Sequence, residues 1–393
     1  MQKLSLKTEY AFGIDSLQTL SDYLLKHEHK KVLLVCGKHS IKVSGLFDEI
    51  SNLLAQNHIE MVTYFGIKGN PEDTDVMKAA ELGFNEQVTA IIAAGGGSVM
   101  DSAKIIGIMI ANRNIPSVRA LNDNYQLAQN PCLPIVAIPT TAATASENNG
   151  NSVINLTDGA KVEKMPFWFA SGIPQLAIEN SQYIGSNSDW NLASGMFDIV
   201  AHIIDQYLGV KTFGWTQEYL FANLRNLLKY ARRYLNDRHD TEAADNVLWT
   251  STMALNAFTS FGGQQDWNLH CMEHELSAKW DVTHGAGLAL LTPTYLRVCL
   301  ELGDKYRVKL TTMAQEVFKV DTPEAMITAL EQFIRDLGLP INWLELNNMD
   351  HNPTNAEMRE IAHYVGTMPR NKELYVNLTE DLIYEILTRV PRN

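Results

Sequence analysis

The sequence predicts an α/β N-terminal domain with a doubly wound, mostly parallel sheet over residues 1–185, followed by an all-α C-terminal domain over 186–393. Three observations carry this. At 393 residues the chain exceeds what one compact core usually holds. In the first half, short wholly apolar runs alternate with stretches of helical period, which is how buried parallel strands and their crossover helices read. From about Gln182 strand-like runs become scarce, Ser186-Asn187-Ser188-Asp189 makes a polar break, and long amphipathic segments take over.

The first strand is expected within Lys31–Gly37, whose interior VLLVC is fully apolar. A helix follows from Gly45 to Gln56, then a strand from Met61 to Gly66. Asn70-Pro71 punctuates the entry to a helix at Asp73–Phe84. Thr89–Gly95 is a further buried strand, running into Gly95-Gly96-Gly97-Ser98 and a helix over Val99–Asn112. Pro134–Pro139 is the last strand expected, ending in a Thr/Ser-rich loop. Helices are then expected at Thr216–Leu235, Glu242–Ser260, Asp266–Trp280, Gly287–Val298, Thr322–Leu337 and Asn355–Val365, besides one through GMFDIVAHIIDQYLG.

Charge and composition narrow the function. A net charge of -13 and the absence of a basic stripe argue against nucleic acid as partner. No run reaches 18 apolar residues, so no membrane span is expected, and Met1-Gln2-Lys3 leads into polar residues rather than a signal peptide. Four cysteines without CxxC spacing fit a reducing cytoplasm.

The densest chemistry lies in Asp266–Leu291, where His270, His274 and His284 fall within fifteen positions. His270 and His274 are four apart, hence on one helix face. Upstream, Asp198 and His202 repeat the same spacing. Asp198, His202, His270 and His284 together supply one carboxylate and three imidazoles, a donor set for a divalent metal. A single buried histidine is more often a hydrogen-bonded core residue. Four chelating groups on otherwise apolar helices are harder to explain that way, since unpaired imidazoles are costly to bury.

The glycine run is the second signal. At a strand-to-helix turn, the N–H groups of Gly95, Gly96, Gly97 and Ser98 can converge on a phosphate, although three glycines can also simply make a tight turn. The run matches neither G-x-G-x-x-G nor the P-loop. With this turn in the first half and all four candidate ligands in the second, the active site is expected in the cleft between the domains.

Taken together, Gly95-Gly-Gly-Ser98-x-x-Asp101-x-x-Lys104, Pro139-Thr-Thr-Ala-Ala-Thr-Ala-Ser-Glu147, Asp198-x-x-x-His202 and His270-x-x-x-His274-x9-His284-Gly285 resemble the iron-containing (group III) alcohol dehydrogenase family. The similarity runs nearly the whole length, nearest to the butanol dehydrogenase and broad-range aldehyde reductase branch, which also carries Gln265-Asp266-Trp267. The resemblance implies one divalent metal, Fe or Zn, on Asp198, His202, His270 and His284. It implies that His274 lines the site without ligating, and that Gly96, Gly97, Ser98, Asp101, Thr140, Thr144, Asn149 and Lys164 lie along the cofactor. It further implies hydride transfer between a nicotinamide and a small alcohol or aldehyde, and a homodimer. His274 is then either a proton relay near the reacting oxygen or a hydrogen-bond partner behind the ligands. Two departures stand out: Ala143-Thr144-Ala145-Ser146-Glu147 where the family usually has glycines flanking the threonine, and Ile178-Glu179-Asn180 where it has leucine-aspartate-proline.

NADP(H) is expected ahead of NAD(H). The first strand ends at Gly37 with no acid to repel a 2′-phosphate, while Lys38, Ser40 and Lys42 offer donors. Competing readings are a polyol dehydrogenase or dehydroquinate-synthase-like lyase on the same architecture, a metal-dependent hydrolase, and a binding protein with a degenerate site. The hydrolase gives no reason for a glycine turn between strand and helix, and the full four-ligand set argues against a degenerate site.

Overall fold

A computed structural model describes residues 4–38, 40–159, 161–367 and 378–392; the Met1–Lys3 opening lies outside them. The chain divides between Asn187 and Ser188 into two compact units, Ser5–Asn187 and Ser188–Asn393.

In the first unit, β1 (Glu9–Phe12), β2 (Lys31–Gly37), β3 (Glu60–Ile67), β4 (Ala90–Gly95), β5 (Ile135–Pro139) and β8 (Leu176–Glu179) form one sheet in the order β1-β8-β5-β4-β2-β3. Every pair in it is parallel. β6 (Asn151–Asp158) and β7 (Lys161–Trp168) form a separate antiparallel hairpin. The apolar runs alternate between faces as the pleat demands. Val32, Leu34 and Cys36 bury against Leu20, Leu24, Ile50 and Leu54 of helices Gln18–Lys26 and Leu46–Gln56. Leu33 and Val35 bury on the opposite face, among Val76, Ala79 and Ala103 of helices Asp73–Asn85 and Gly97–Ala111. Burial on both faces is why these strands carry no polar alternation.

β1, β8 and the hairpin were not among the expected strands. β1 is a four-residue edge strand with a half-exposed burial pattern, and in Glu9-Tyr-Ala-Phe12 the apolar run is too short to mark a buried strand. β8 is also only four residues long. The hairpin strands mix Asn, Thr, Lys and Glu with apolar residues, so they lack a core strand's continuous run.

The second unit is helical. Asp189–Tyr207 packs against Gly214–Asn236 and His284–Glu301, and Asn268–Trp280 packs against the latter. The helix expected to reach Ser260 stops at Ala254. Asn256 causes this locally: its Oδ1 accepts the N–H of Phe258 at 2.9 Å while its Nδ2 donates to Tyr219 Oη at 3.0 Å, offering the backbone a turn in place of the helix. Two ten-residue helices, Asp304–Met313 and Glu380–Arg389, were not expected; each is too short for a sustained period. Among the described residues no helix is long and apolar enough to cross a membrane, and all four cysteines are free thiols.

Candidate functional site

Asp198 and His202 lie one turn apart on helix Asp189–Tyr207, which starts cleanly because the Ser188 side chain accepts the N–H of Asn191. Both are buried, at 2% and 5% exposure. His270 sits in the first turn of helix Asn268–Trp280, entered through Trp267 in a left-handed conformation (φ 62°). A tryptophan held there is strained, and its ring uses that placement to pack edge-on against His270 and His202, at 5.1 and 5.8 Å between centroids. His284 opens helix His284–Glu301. Gly285 lets that helix close on its neighbour, since a Cβ there would fall 1.9 Å from the backbone oxygen of Ser194.

These elements bring the four candidate ligands together. Asp198 Oδ1 lies 3.5 Å from His270 Nε2 and 3.7 Å from both His202 Nδ1 and His284 Nε2. Those spacings are too long for good hydrogen bonds. Asp198 Oδ1, His202 Nδ1 and His270 Nε2 are accordingly buried with no hydrogen-bond partner. A tetrahedral ion with ligand bonds of about 2.1 Å has ligand–ligand edges of about 3.4 Å. Unsatisfied donor atoms at nearly that spacing fit a divalent cation, which would repair the cost of burying them. Burial alone would raise the carboxyl of Asp198, but the surrounding imidazoles hold it well below the usual range. Burial pushes His202 down to about 4. Burial also pulls His270 down, but the flanking carboxylates Asp198 and Asp205 outweigh it and lift the ring to about 9.

Two carboxylates that sequence reading passed over touch this group. Asp205 Oδ2 accepts from His270 Nδ1 at 2.7 Å and from the His270 N–H at 3.1 Å, while its Oδ1 accepts the Leu269 N–H at 3.2 Å. Glu273 contacts His284 Nδ1 and accepts from Ser277 Oγ. Both are fully buried. The available signal was an acid on an otherwise apolar helix face, but only the fold supplies the partners. His274 stands beside the group, its ring 5.3 Å from His284 and 6.4 Å from His270, and with Glu273 and His284 it forms a second set of converging donor atoms.

In the first unit, the strand order reverses direction at β2 and β4, so their carboxyl ends form a switch point, the place where open α/β sheets bind ligands. Gly37 and Gly95 end these adjacent strands, and Thr140 follows β5 beside them, its N–H bonded to Gly95 O at 3.0 Å. Helix Gly97–Ala111 begins at Gly96 without a side-chain cap, so its leading N–H groups suit an anion. The glycines also serve packing: a Cβ on Gly97 would meet Thr144 at 2.5 Å, and one on Gly95 would meet Val99 at 2.5 Å.

The other expected cofactor residues separate by role. Ser98 Oγ bonds Gly69 O. Thr144 Oγ1 accepts the Ser146 N–H at 3.3 Å, and Asn149 bonds Ala145 O and the Asn151 N–H. Asp101 has both carboxylate oxygens engaged inside the protein, by Ser146 Oγ at 2.5 Å and the Val153 N–H at 2.9 Å. Beside it the buried Lys104 donates to Ser146 Oγ at 2.6 Å and Asn151 O at 2.5 Å, and burial lowers its ammonium to about 8. These two residues therefore tie the threonine loop and hairpin to the glycine helix. Lys164 is buried on β7. Ala145, one of the loop's departures, holds a left-handed φ of 52°, a backbone that glycine adopts without strain. At the end of β2, Lys38 and Ser40 are exposed. The Lys42 ammonium instead lies 3.9 Å over the Phe65 ring, which draws it away from the role of phosphate donor.

Comparison with known proteins gives a consistent result. Residues 7–181 match the model of iron-containing alcohol dehydrogenase, and residues 192–390 match that of the Fe-containing alcohol dehydrogenase family, C-terminal. The NADH-dependent butanol dehydrogenase B of Clostridium acetobutylicum is 32% identical over 345 residues, covering 86% of each chain. The NADPH-dependent aldehyde reductase YqhD of Escherichia coli is 28% identical over 394 residues, covering 97% of this chain and 98% of the other. The fold matches the crystal structure of NADH-dependent butanol dehydrogenase A from Thermotoga maritima with a TM-score of 0.89 over 100% of this chain and 99% of that one, at 24% identity.

Proposed function

The chain belongs to the iron-containing alcohol dehydrogenase family, and on that premise we propose that it is a metal-dependent oxidoreductase moving hydride between NADP(H) and a small alcohol/aldehyde pair. The observation that carries this reading is the convergence of Asp198, His202, His270 and His284, with three buried donor atoms left unsatisfied. A divalent ion on those side chains would withdraw electron density from the substrate oxygen, while the nicotinamide would give or take the hydride. Three imidazoles and a carboxylate suit iron or zinc alike.

The chain's own residues do the rest. Trp267 packs against two of the imidazoles and shields them from water. His274 moves or orients the proton at the reacting oxygen. The uncapped N–H groups at Gly96, Gly97 and Ser98 bind the cofactor's phosphates, with Thr140, Thr144, Asn149 and Lys164 lining the same binding region, and Asp101 holding the loop that carries several of them. Support for NADP(H) is the end of β2, where Gly37 carries no acid, a Cβ there would make only ordinary contacts with Ile67 O at 3.7 Å and Ser40 Oγ at 3.9 Å, and the exposed Lys38 and Ser40 offer donors to a 2′-phosphate. The relatives themselves divide between names specifying NADH and NADPH. A homodimer is the assembly we propose, with β1, the outer strand carrying the exposed Phe12, as one apolar edge for it. Four free thiols suit a reducing cytoplasm.

The test is to mix the metal-loaded protein with NADPH and butanal and follow the reduced-nicotinamide absorbance. Oxidation of NADPH is expected. His270→Ala should lose both metal and turnover, whereas His274→Ala should keep metal and slow the reaction. Full metal content with a normal rate in His270→Ala would sink the ligand assignment.

A further inference from the structure

We propose that Asp205 and Glu273 are positioning residues of the metal centre, each holding the Nδ1–H of one imidazole so that its Nε2 lone pair faces Asp198. The inference rests on the four-ligand reading above. A neutral imidazole carries one proton on either nitrogen, and only the bare nitrogen can ligate, so the hydrogen bond made by the other nitrogen selects the useful tautomer. His270 and His284 both turn Nε2 toward Asp198, at 3.5 and 3.7 Å, and both turn Nδ1 toward a fully buried carboxylate.

The two arrangements are built independently, from different parts of the chain. Asp205 comes from the same helix as Asp198 and reaches His270 from 65 residues away, fixed by the N–H groups of Leu269 and His270. Glu273 comes from the helix that carries His270 and reaches the first residue of the next helix, its other oxygen fixed by Ser277. Gly287 makes room for it, because a Cβ there would lie 2.8 Å from Glu273 Oε1. A buried carboxylate costs several kcal/mol unless it is paired. Two such carboxylates, each aimed at the far nitrogen of a candidate ligand, are explained together by one task.

Asp205 also caps the start of helix Asn268–Trp280, and a purely structural role must be separated from positioning. Asp205→Asn and Glu273→Gln keep an oxygen for the backbone or Ser277 contacts and remove the charge that commits Nδ1 to holding the proton. The measurement is Zn2+ affinity by competition with a chromophoric chelator, with neither nicotinamide nor aldehyde present, alongside ring 15N spectra of the Zn2+-loaded wild type. Each variant should stay folded without metal, Asp205→Asn at a lower thermal midpoint because it loses its buried pairing with His270, and each should bind Zn2+ about 10–100-fold more weakly. The wild-type spectra should show Nδ1 protonated on both His270 and His284. Wild-type affinity in either folded variant, or an unprotonated Nδ1 on either ring, overturns the proposal; the wild-type spectra decide it even if a variant fails to fold. A wild type that binds no Zn2+ overturns the ligand reading beneath it, and the positioning role with it.

Discussion

Replacing Gly285 by Ala probes how the metal centre is assembled from two helices. The added Cβ would fall 1.9 Å from Ser194 O, 2.5 Å from its carbonyl carbon and 3.1 Å from its Cα. All three are backbone atoms of helix Asp189–Tyr207, so no rotamer change can relieve the clash. Helix His284–Glu301 must withdraw by roughly 1 Å or more to restore an ordinary contact. His284 leads that helix, so its 3.7 Å separation from Asp198 should stretch to roughly 5 Å, beyond the roughly 3.4 Å edge of a tetrahedral site. Alanine gains up to about 1 kcal/mol of helix propensity over glycine. Overpacking typically costs about 1–3 kcal/mol, and with no side chain to yield it should win. Gly285→Ala is therefore expected to unfold at lower urea, by about 1–2 kcal/mol net, and to hold metal more weakly in chelator competition. Unchanged urea midpoint and unchanged metal affinity would refute the claim that this contact sets the ligand spacing.

Gly37→Asp tests the cofactor reading. The new Cβ meets nothing closer than Ile67 O at 3.7 Å, so the side chain fits, and its charge should cost NADPH about 1–3 kcal/mol while NADH holds or improves; equal losses in kcat/KM for both cofactors would leave the NADP(H) assignment without support. In metal-stripped protein, His270 titrates near 9 when folded, above its ordinary 6.5. Its contribution is thus fully present below pH 6.5 and lost as pH rises through about 9, a change of about 3 kcal/mol. His202, depressed to about 4, acts oppositely, contributing above 6.5 and losing its share as pH falls toward 4. Urea midpoints of the stripped protein should fall between pH 6.5 and 8, below the range where the depressed Lys104 ammonium opposes the trend, and a flat profile there, or an identical fall in His270→Gln, would count against the His270 assignment.

What could be read along the chain was whatever one element encodes by itself. The i, i+4 pair Asp198/His202 is visible because a helix repeats every 3.6 residues, and β2, β4 and β5 are visible because strands buried on both faces become unbroken apolar runs. β1 and the β6–β7 hairpin were illegible for the converse reason: part-exposed and mixed in polarity, they acquire strand character only from their partners. The same divide runs through the candidate site. Four donor residues could be named from type and spacing, but Asp205 and Glu273 could not. A carboxylate on an apolar helix means nothing until the fold sets an imidazole against it, 65 residues away for Asp205. Lys42 shows the reverse: its position near a strand end suggested a phosphate donor, and only packing put Phe65 beneath its ammonium. Local propensity and chemical type are properties of the sequence. Which nitrogen of a histidine faces inward, how closely two helices approach at Gly285, and which charges are already satisfied depend on long-range contacts, and the tertiary structure alone decided them.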